Sequence, residues 1–130
     1  MNFKRTLISM AAAFSLMLGL SACSDNTEQV NKAAKLVADH YRQNPPSRNW
    51  RVLSVKAVIP DDKVVVQILV TEEKDVNRIK TLSRMDQLHV AKLACPLMFD
   101  ELRTQLGADT RVWVELKANN KVLVNSICAH

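Results

Sequence analysis

The chain has 130 residues, which is enough for one small domain. Its 18 Lys and Arg against 13 Asp and Glu give a net charge of +5, and aromatic residues make up only 5% of the chain. Because charges of both signs are mixed and aromatic residues are few, the composition argues against a nucleic-acid-binding protein. Only two glycines are present, so a glycine-rich loop that cradles phosphate is excluded as well.

The beginning of the chain has the pattern of an export signal. Met1–Arg5 is short and positively charged, and Leu7–Leu20 is apolar and carries no charged side chain. A transmembrane helix needs about 20 apolar residues, and this run is shorter. We therefore predict that residues 1–22 are a signal peptide. The rest of the chain then has 16 basic and 13 acidic residues, a charge of +3 that could favour an anionic membrane surface weakly.

Leu20–Cys23 reads Leu-Ser-Ala-Cys and directly follows the apolar run. This segment resembles the lipobox of bacterial lipoproteins, in which a Leu and two small residues precede an invariant Cys. The resemblance implies lipidation: a diacylglyceryl group on the Cys23 sulfur, cleavage before Cys23 and acylation of its new amino group. The alternatives are an uncleaved anchor, for which the segment is short, and an ordinary secretory signal, whose peptidase prefers a smaller residue than Leu20.

Acyl chains on Cys23 would determine where the protein resides. Each buried CH₂ contributes roughly 0.8 kcal/mol, so two or three chains anchor a protein essentially permanently. In enterobacterial-type lipoproteins an Asp after the Cys retains the protein at the inner membrane, and here that residue is Ser24. The resemblance therefore implies an outer-membrane lipoprotein that faces the periplasm. Residues 23–26 would be the lipidated N-terminus and a short linker, and residues 27–130 a single α+β domain.

The domain begins with a predicted helix. Asn26 can cap it, with Gln29 as the reciprocal partner three residues later. An apolar stripe then recurs at three- and four-residue steps, through Val30, Ala33, Val37 and Tyr41. Pro45-Pro46 cannot continue a helix and predicts its end at Gln43 or Asn44. Two prolines are also compatible with a polyproline ligand, but a helix stop explains them more simply.

Two predicted strands follow the prolines. Trp50–Ile59 alternates between apolar and polar residues, and Pro60–Asp62 has turn chemistry. Lys63–Thr71 places Val64, Val66, Ile68 and Val70 on one face, and its other face is also partly apolar. A strand that is apolar on both faces is predicted to be central in its sheet.

A polar stretch beginning with Glu72–Asp75 then leads into helical sequence. Ser83 predicts a helix start, with Asp86 three residues later, and the residues expected on its apolar side are Met85, Leu88, Ala91 and Leu93. Cys95-Pro96 breaks this helix and can begin another, since proline is tolerated in a first turn. Leu97, Phe99, Leu102 and Leu106 form the apolar side of that second helix. Gly107 is the expected left-handed stop.

The chain ends with a predicted hairpin. Arg111–Lys117 alternates, Asn119-Asn120 tolerate the positive φ of a tight turn, and Lys121–Cys128 returns. The predicted order is therefore α-β-β-α-α-β-β. The fold class is α+β, with a four-stranded, mainly antiparallel sheet that carries the helices on one face, because this arrangement buries all the apolar stripes.

Cys95 and Cys128 are the two cysteines that remain once Cys23 is lipidated. An even pair in an exported domain predicts a disulfide, which would stabilise a domain of this size by roughly 3–4 kcal/mol. The alternatives are two buried free thiols or a zinc site that also uses His89 and His130. The spacing is unusual for zinc and oxidation would remove both thiolates. We therefore predict no metal and no cofactor.

No catalytic set is recognisable. No Ser lies in a glycine-flanked elbow, and the acidic pairs Asp61-Asp62 and Glu72-Glu73 fall in polar, solvated segments. His40, at the end of the first predicted helix, and His89, beside core positions, are both explained by structural roles. We therefore expect that the protein is not an enzyme.

The leading hypothesis is a lipid-anchored, non-catalytic interaction or assembly-accessory domain, by analogy with small lipoproteins that pilot or brace outer-membrane assemblies. Its expected partners are the membrane, through Cys23, and another envelope protein, with no nucleic acid. The alternative is a periplasmic ligand-binding or enzyme-inhibitor module. Lipoproteins that inhibit lysozyme tend to be all-β, and the predicted helices argue against that class.

Overall fold

The computed structural model describes residues 22–96, 100–106 and 109–128. The predicted signal peptide before Ala22, the helix residues Leu97 and Phe99, the stop Gly107 and the terminal His130 lie outside these ranges. The described helices and strands are α1 (Ala22–Gln43), β1 (Trp50–Val58), β2 (Lys63–Val70), α2 (Glu73–Thr81), α3 (Arg84–Leu93), α4 (Asp100–Leu106), β3 (Arg111–Ala118) and β4 (Lys121–Ile127). None of these helices is long and apolar enough to span a bilayer.

The four strands form one sheet in the order β1-β2-β3-β4. The pairs β1–β2 and β3–β4 are antiparallel, whereas β2 and β3 are parallel. A parallel pair needs a long crossover, and here the crossover carries the three helices α2, α3 and α4. The predicted α+β fold with a mainly antiparallel sheet is therefore confirmed, and β2 is a central strand as its sequence indicated.

The core lies between the helices and one face of the sheet. α1 contacts β1 and β2, while α3 contacts β3 and β4. Alternate residues of the two central strands are completely buried there, namely Val64, Val66, Ile68, Val112, Val114 and Leu116. Because the side chains of a strand alternate between its two faces, one face of the sheet packs against the helices and the other points away from them.

The stripe predicted on the first helix is confirmed. Val30, Ala33, Val37 and Tyr41 are all buried in the core. The described part of the helix already includes Ala22, however, so that Asn26 lies inside it and does not cap it. No proline or glycine between Ala22 and Asn26 interrupts the helix, whereas Pro45-Pro46 follows its end as expected.

The crossover contains one more helix than the predicted order. α2 forms within the polar segment that begins at Glu72, and it buries only Val76 and Ile79. In α3 the cap is as predicted, since the Ser83 hydroxyl accepts a hydrogen bond from the Asp86 amide at 3.2 Å.

The apolar side predicted for α3 is wrong in two positions, Met85 and Leu93. Both are exposed, whereas Ala91 is completely buried and Leu88 is partly buried against the core. Leu93 follows Ala91 by two residues, and residues two apart on a helix point to nearly opposite sides. Met85 lies about two turns before Leu93 on the same exposed side of α3.

Candidate interaction surface

The predicted disulfide is present: Cys95 and Cys128 are bonded, with their Cα atoms 5.7 Å apart. It joins the end of α3 to the end of β4, where the Cys128 amide also donates to the Val112 carbonyl at 2.8 Å. Neither sulfur can therefore act as a thiolate ligand in the zinc alternative. His89, the third residue of that alternative, lies exposed on α3.

A buried hydrogen bond lies next to the disulfide. The Tyr41 hydroxyl donates to the carbonyl oxygen of Ala94, the residue before Cys95, and so connects the end of α1 to the end of α3. Burial raises the pKa of Tyr41 well above its ordinary value. Burial lowers the pKa of the neighbouring His40, whose ring contacts the Tyr41 ring edge-on at 5.7 Å. The Tyr41 hydrogen bond thus connects two helix ends, and His40 lies in the last turn of α1, as its sequence position indicates.

Cys23, the predicted lipidation residue, is the second residue of α1. The first part of α1 lies at the end of the sheet where β2 and β3 begin. Asn26 and Gln29 line a polar recess there together with Asp62 and Asp109, which precede β2 and β3. The N-terminal end of α1 is therefore on the helix side of the sheet, at this one end.

The sheet face that points away from the helices is called the open face here. No described helix packs on it, and its residues are half-exposed or exposed where their neighbours on the other face are buried. The pairing register places its residues in four rows across the sheet. The rows are Val58, Lys63 and Arg111; Lys56, Val65, Trp113 and Ile127; Ser54, Gln67, Glu115 and Asn125; and Arg51, Leu69, Lys117 and Val122.

One row of the open face, here called the polar row, is hydrogen-bonded across three strands. The Ser54 hydroxyl donates to the Gln67 Oε1 at 3.2 Å, and the Gln67 Nε2 donates to the Glu115 Oε2 at 3.0 Å. Asn125 continues the row on β4 and is exposed. The hydroxyl of Ser54, the amide of Gln67 and the carboxylate of Glu115 are thus held relative to one another on this face.

The adjacent row, here called the apolar row, is centred on Trp113. Val65 and Ile127 flank Trp113 on the two neighbouring strands, and Ile127 is 38% exposed. The ammonium group of Lys63 lies 5.5 Å from the centre of the Trp113 ring, within the range of a cation–π contact. The same ammonium pairs with the Asp61 carboxylate at 3.0 Å. The indole Nε1 is buried and has no hydrogen-bond partner among the described residues.

The charges on the open face are mostly of one sign. Five cationic side chains, Arg51, Lys56, Lys63, Arg111 and Lys117, share it with the carboxylate of Glu115, and Lys63 is paired with the carboxylate of Asp61 just before β2. By contrast, the helices carry both signs in similar numbers. In α2, for example, Glu73 and Asp75 lie in the first turn and Arg78 and Lys80 in the last. The weak positive charge of the domain is therefore concentrated on one side of the molecule.

Sequence reasoning did not find this surface. The residues of the apolar row come from four strands, and Lys56 and Ile127 are far apart in the chain. The alternation of β2 and β3 separates two faces of each strand, but it does not show which residues of the other strands lie beside Val65 or Trp113. The one available signal was local: on β2 and β3 the basic residues Lys63, Arg111 and Lys117 alternate with the residues that are buried. No family model, curated protein or solved structure matches this chain.

Proposed function

We propose that this chain is a bacterial envelope lipoprotein, lipid-anchored at Cys23, whose domain acts as a non-catalytic interaction or assembly-accessory module. The observation that supports the interaction role is the open face, with its apolar row, its hydrogen-bonded polar row and its excess of cations. The face brings an aromatic and aliphatic row together with hydrogen-bonding groups on one surface, and protein interfaces combine such groups.

The anchor follows from the Leu20–Cys23 motif and from the apolar run before it. Because Cys23 lies within α1 and Val30 of the same helix is buried, only about two helical turns separate Cys23 from the core. A domain attached in this way would stay beside the membrane surface, where other envelope proteins are concentrated. With Ser24 after the Cys, we place it at the outer membrane, facing the periplasm.

Labelling with radioactive palmitate in the native host tests the anchor. We expect label in the wild-type protein and none in Cys23→Ser, because only the Cys23 sulfur and amino group are acylated. Cys95→Ser is the matched control, since it also removes one cysteine but should retain the label. An unlabelled wild-type protein, or a bare Cys23 in mass spectrometry of the processed N-terminus, would disprove the anchor.

The location has its own test. We expect wild-type protein in the outer-membrane fraction of a density gradient and Ser24→Asp in the inner-membrane fraction, with Ser24→Thr as the control that leaves the distribution unchanged. If Ser24→Asp and the wild type were distributed alike, the placement at the outer membrane would be abandoned while the acylation result would stand.

A further inference from the structure

We propose that the open face binds an acidic surface on another protein of the envelope. This inference deepens the proposed function and rests on it, because it names the chemistry of the partner. Three properties of the face support it: its charge, its fixed hydrogen-bonding groups and its position relative to α1.

The charge selects an anionic occupant. Five cations, of which Lys63 is paired with Asp61, and the carboxylate of Glu115 lie on strands about 4.8 Å apart and in rows about 7 Å apart, so neighbouring positions on the face are within one Debye length of each other at physiological salt. The carboxylate of Glu115 already accepts a hydrogen bond from Gln67. A second copy of the same face would bring like charges together, and like-charge juxtaposition opposes association. An acidic surface would instead be attracted and oriented.

The polar row favours a protein over a lipid surface. Ser54, Gln67 and Glu115 are bonded to one another and run through the middle of the face, beside Trp113. A bilayer that covered Trp113 would press the Glu115 carboxylate against anionic headgroups or acyl chains, and both are unfavourable. Backbone amides and polar side chains of a protein can satisfy such groups individually.

The position of α1 points the same way. Its N-terminal end lies on the helix side of the sheet, beside Asp62 and Asp109. If Cys23 is held at the bilayer, the anchored end and the open face are on different sides of the domain. The membrane that holds the anchor then does not cover the face, which remains accessible to a neighbouring protein.

The size of the face sets the expected strength of binding. Four strands of 7–9 residues make a surface of roughly 20 by 25 Å. This is smaller than the roughly 800 Å² per partner of a standard interface, so we expect a modest affinity that falls with salt. Trp113, at the centre, is the residue type that most often contributes the largest share of binding energy.

Photo-crosslinking in living cells is the first test. A photoreactive amino acid is placed at Lys56 or Asn125 on the open face, and at Lys80 or Lys92 on the helix side as matched exposed controls. We expect one protein adduct from the open-face positions and little from the controls. Equal adducts from both sides, or adducts only from the helix side, would overturn the inference but leave an interaction role in place. No protein adduct from any position would count against both.

Charge reversal is the second test. With the photoreactive residue at Asn125, Arg51→Glu with Lys56→Glu should reduce the open-face adduct by about tenfold or more, as expected when close charge pairs across an interface are lost. Lys80→Glu with Lys92→Glu changes the net charge of the protein equally and should leave the adduct unchanged. The crosslinked segment of the partner is then identified by mass spectrometry, and reversing its Asp and Glu should restore the adduct of the first variant. A partner segment without acidic residues would overturn the inference.

A defined probe separates a protein partner from a lipid surface. The full mature chain with Cys23→Ser and Trp50→Phe contains Trp113 as its only tryptophan. We expect an oligoglutamate peptide to change the Trp113 fluorescence in a salt-sensitive way, and an oligoglutamine peptide to have no effect. Vesicles of phosphatidylglycerol should have no more effect than vesicles of phosphatidylcholine. A response to phosphatidylglycerol alone would show that the face binds anionic lipid, and the inference would be wrong.

Discussion

The two faces of the sheet are built from the same strands and differ in almost every physical respect. On β2, Val64, Val66, Ile68 and Val70 are buried, and the residues between them are half-exposed. β3 repeats the pattern beside it in parallel register. One face therefore consists of β-branched and leucine side chains that serve packing, while the other combines cations, amides, a carboxylate and a tryptophan.

Burial in the core constrains only every second residue of β2 and β3. The sheet face that packs against the helices, here called the covered face, provides together with them the apolar burial that the domain needs. The open face contributes little burial, so its residues are free to be chosen for another purpose. Substitutions on the two faces should consequently separate stability from binding.

The largest expected effect on stability comes from introducing a glutamate on the covered face, and the same substitution at the adjacent residue on the open face is its control. Val66→Glu would bury an unpaired carboxylate, at a cost of several kcal/mol against a total stability of about 5–15 kcal/mol, and should leave little folded protein. Val65→Glu places the same group on the open face near Lys56 and should change stability by less than about 1 kcal/mol. Urea unfolding followed by circular dichroism compares the two. Similar losses in both variants would remove the distinction between the faces.

Removal of the disulfide gives the next largest expected loss of stability, because both of its cysteines are buried in the core. It closes a loop with a sequence separation of 33, so Cys128→Ala should lower the stability of the oxidised domain by about 3–4 kcal/mol. The melting temperature should fall in the oxidised sample and change little when wild type and variant are compared under reducing conditions. An unchanged melting temperature under oxidising conditions would mean that the bond is not formed in the protein.

The parts of the fold that sequence predicted are those with a local signal. Alternation defined all four strands, the spacing of Val30 to Tyr41 defined the buried side of α1, and the Asn119-Asn120 turn has the expected positive φ values of 49° and 61°. The cysteine pair was predicted because oxidation in an exported protein leaves few alternatives.

The remaining features depend on tertiary packing. α2 buries only two residues, so its pattern is too weak to stand out from a polar stretch. Met85 and Leu93 are apolar but exposed because α3 turns Ala91 to the sheet. The open face could not be assembled from sequence either, since the parallel register of β2 and β3, which places Val65 beside Trp113, is set by the crossover.

The smallest expected effect concerns Tyr41, the only tyrosine of the chain. Tyr41→Phe removes the hydrogen bond to the Ala94 carbonyl and should cost about 1–2 kcal/mol at neutral pH, without affecting the open face.

Burial raises the pKa of Tyr41 above its ordinary value of 10.0, so the folded state favours the protonated phenol. The associated stability is fully present below pH 10 and is lost as the pH rises beyond it, by up to about 1.4 kcal/mol per pH unit. Unfolding of wild type and Tyr41→Phe at increasing pH measures this, because the free-energy difference between them should shrink above pH 10 and other titrating groups cancel. A difference that stayed constant would mean that Tyr41 titrates at its ordinary pKa and is not buried against the end of α3.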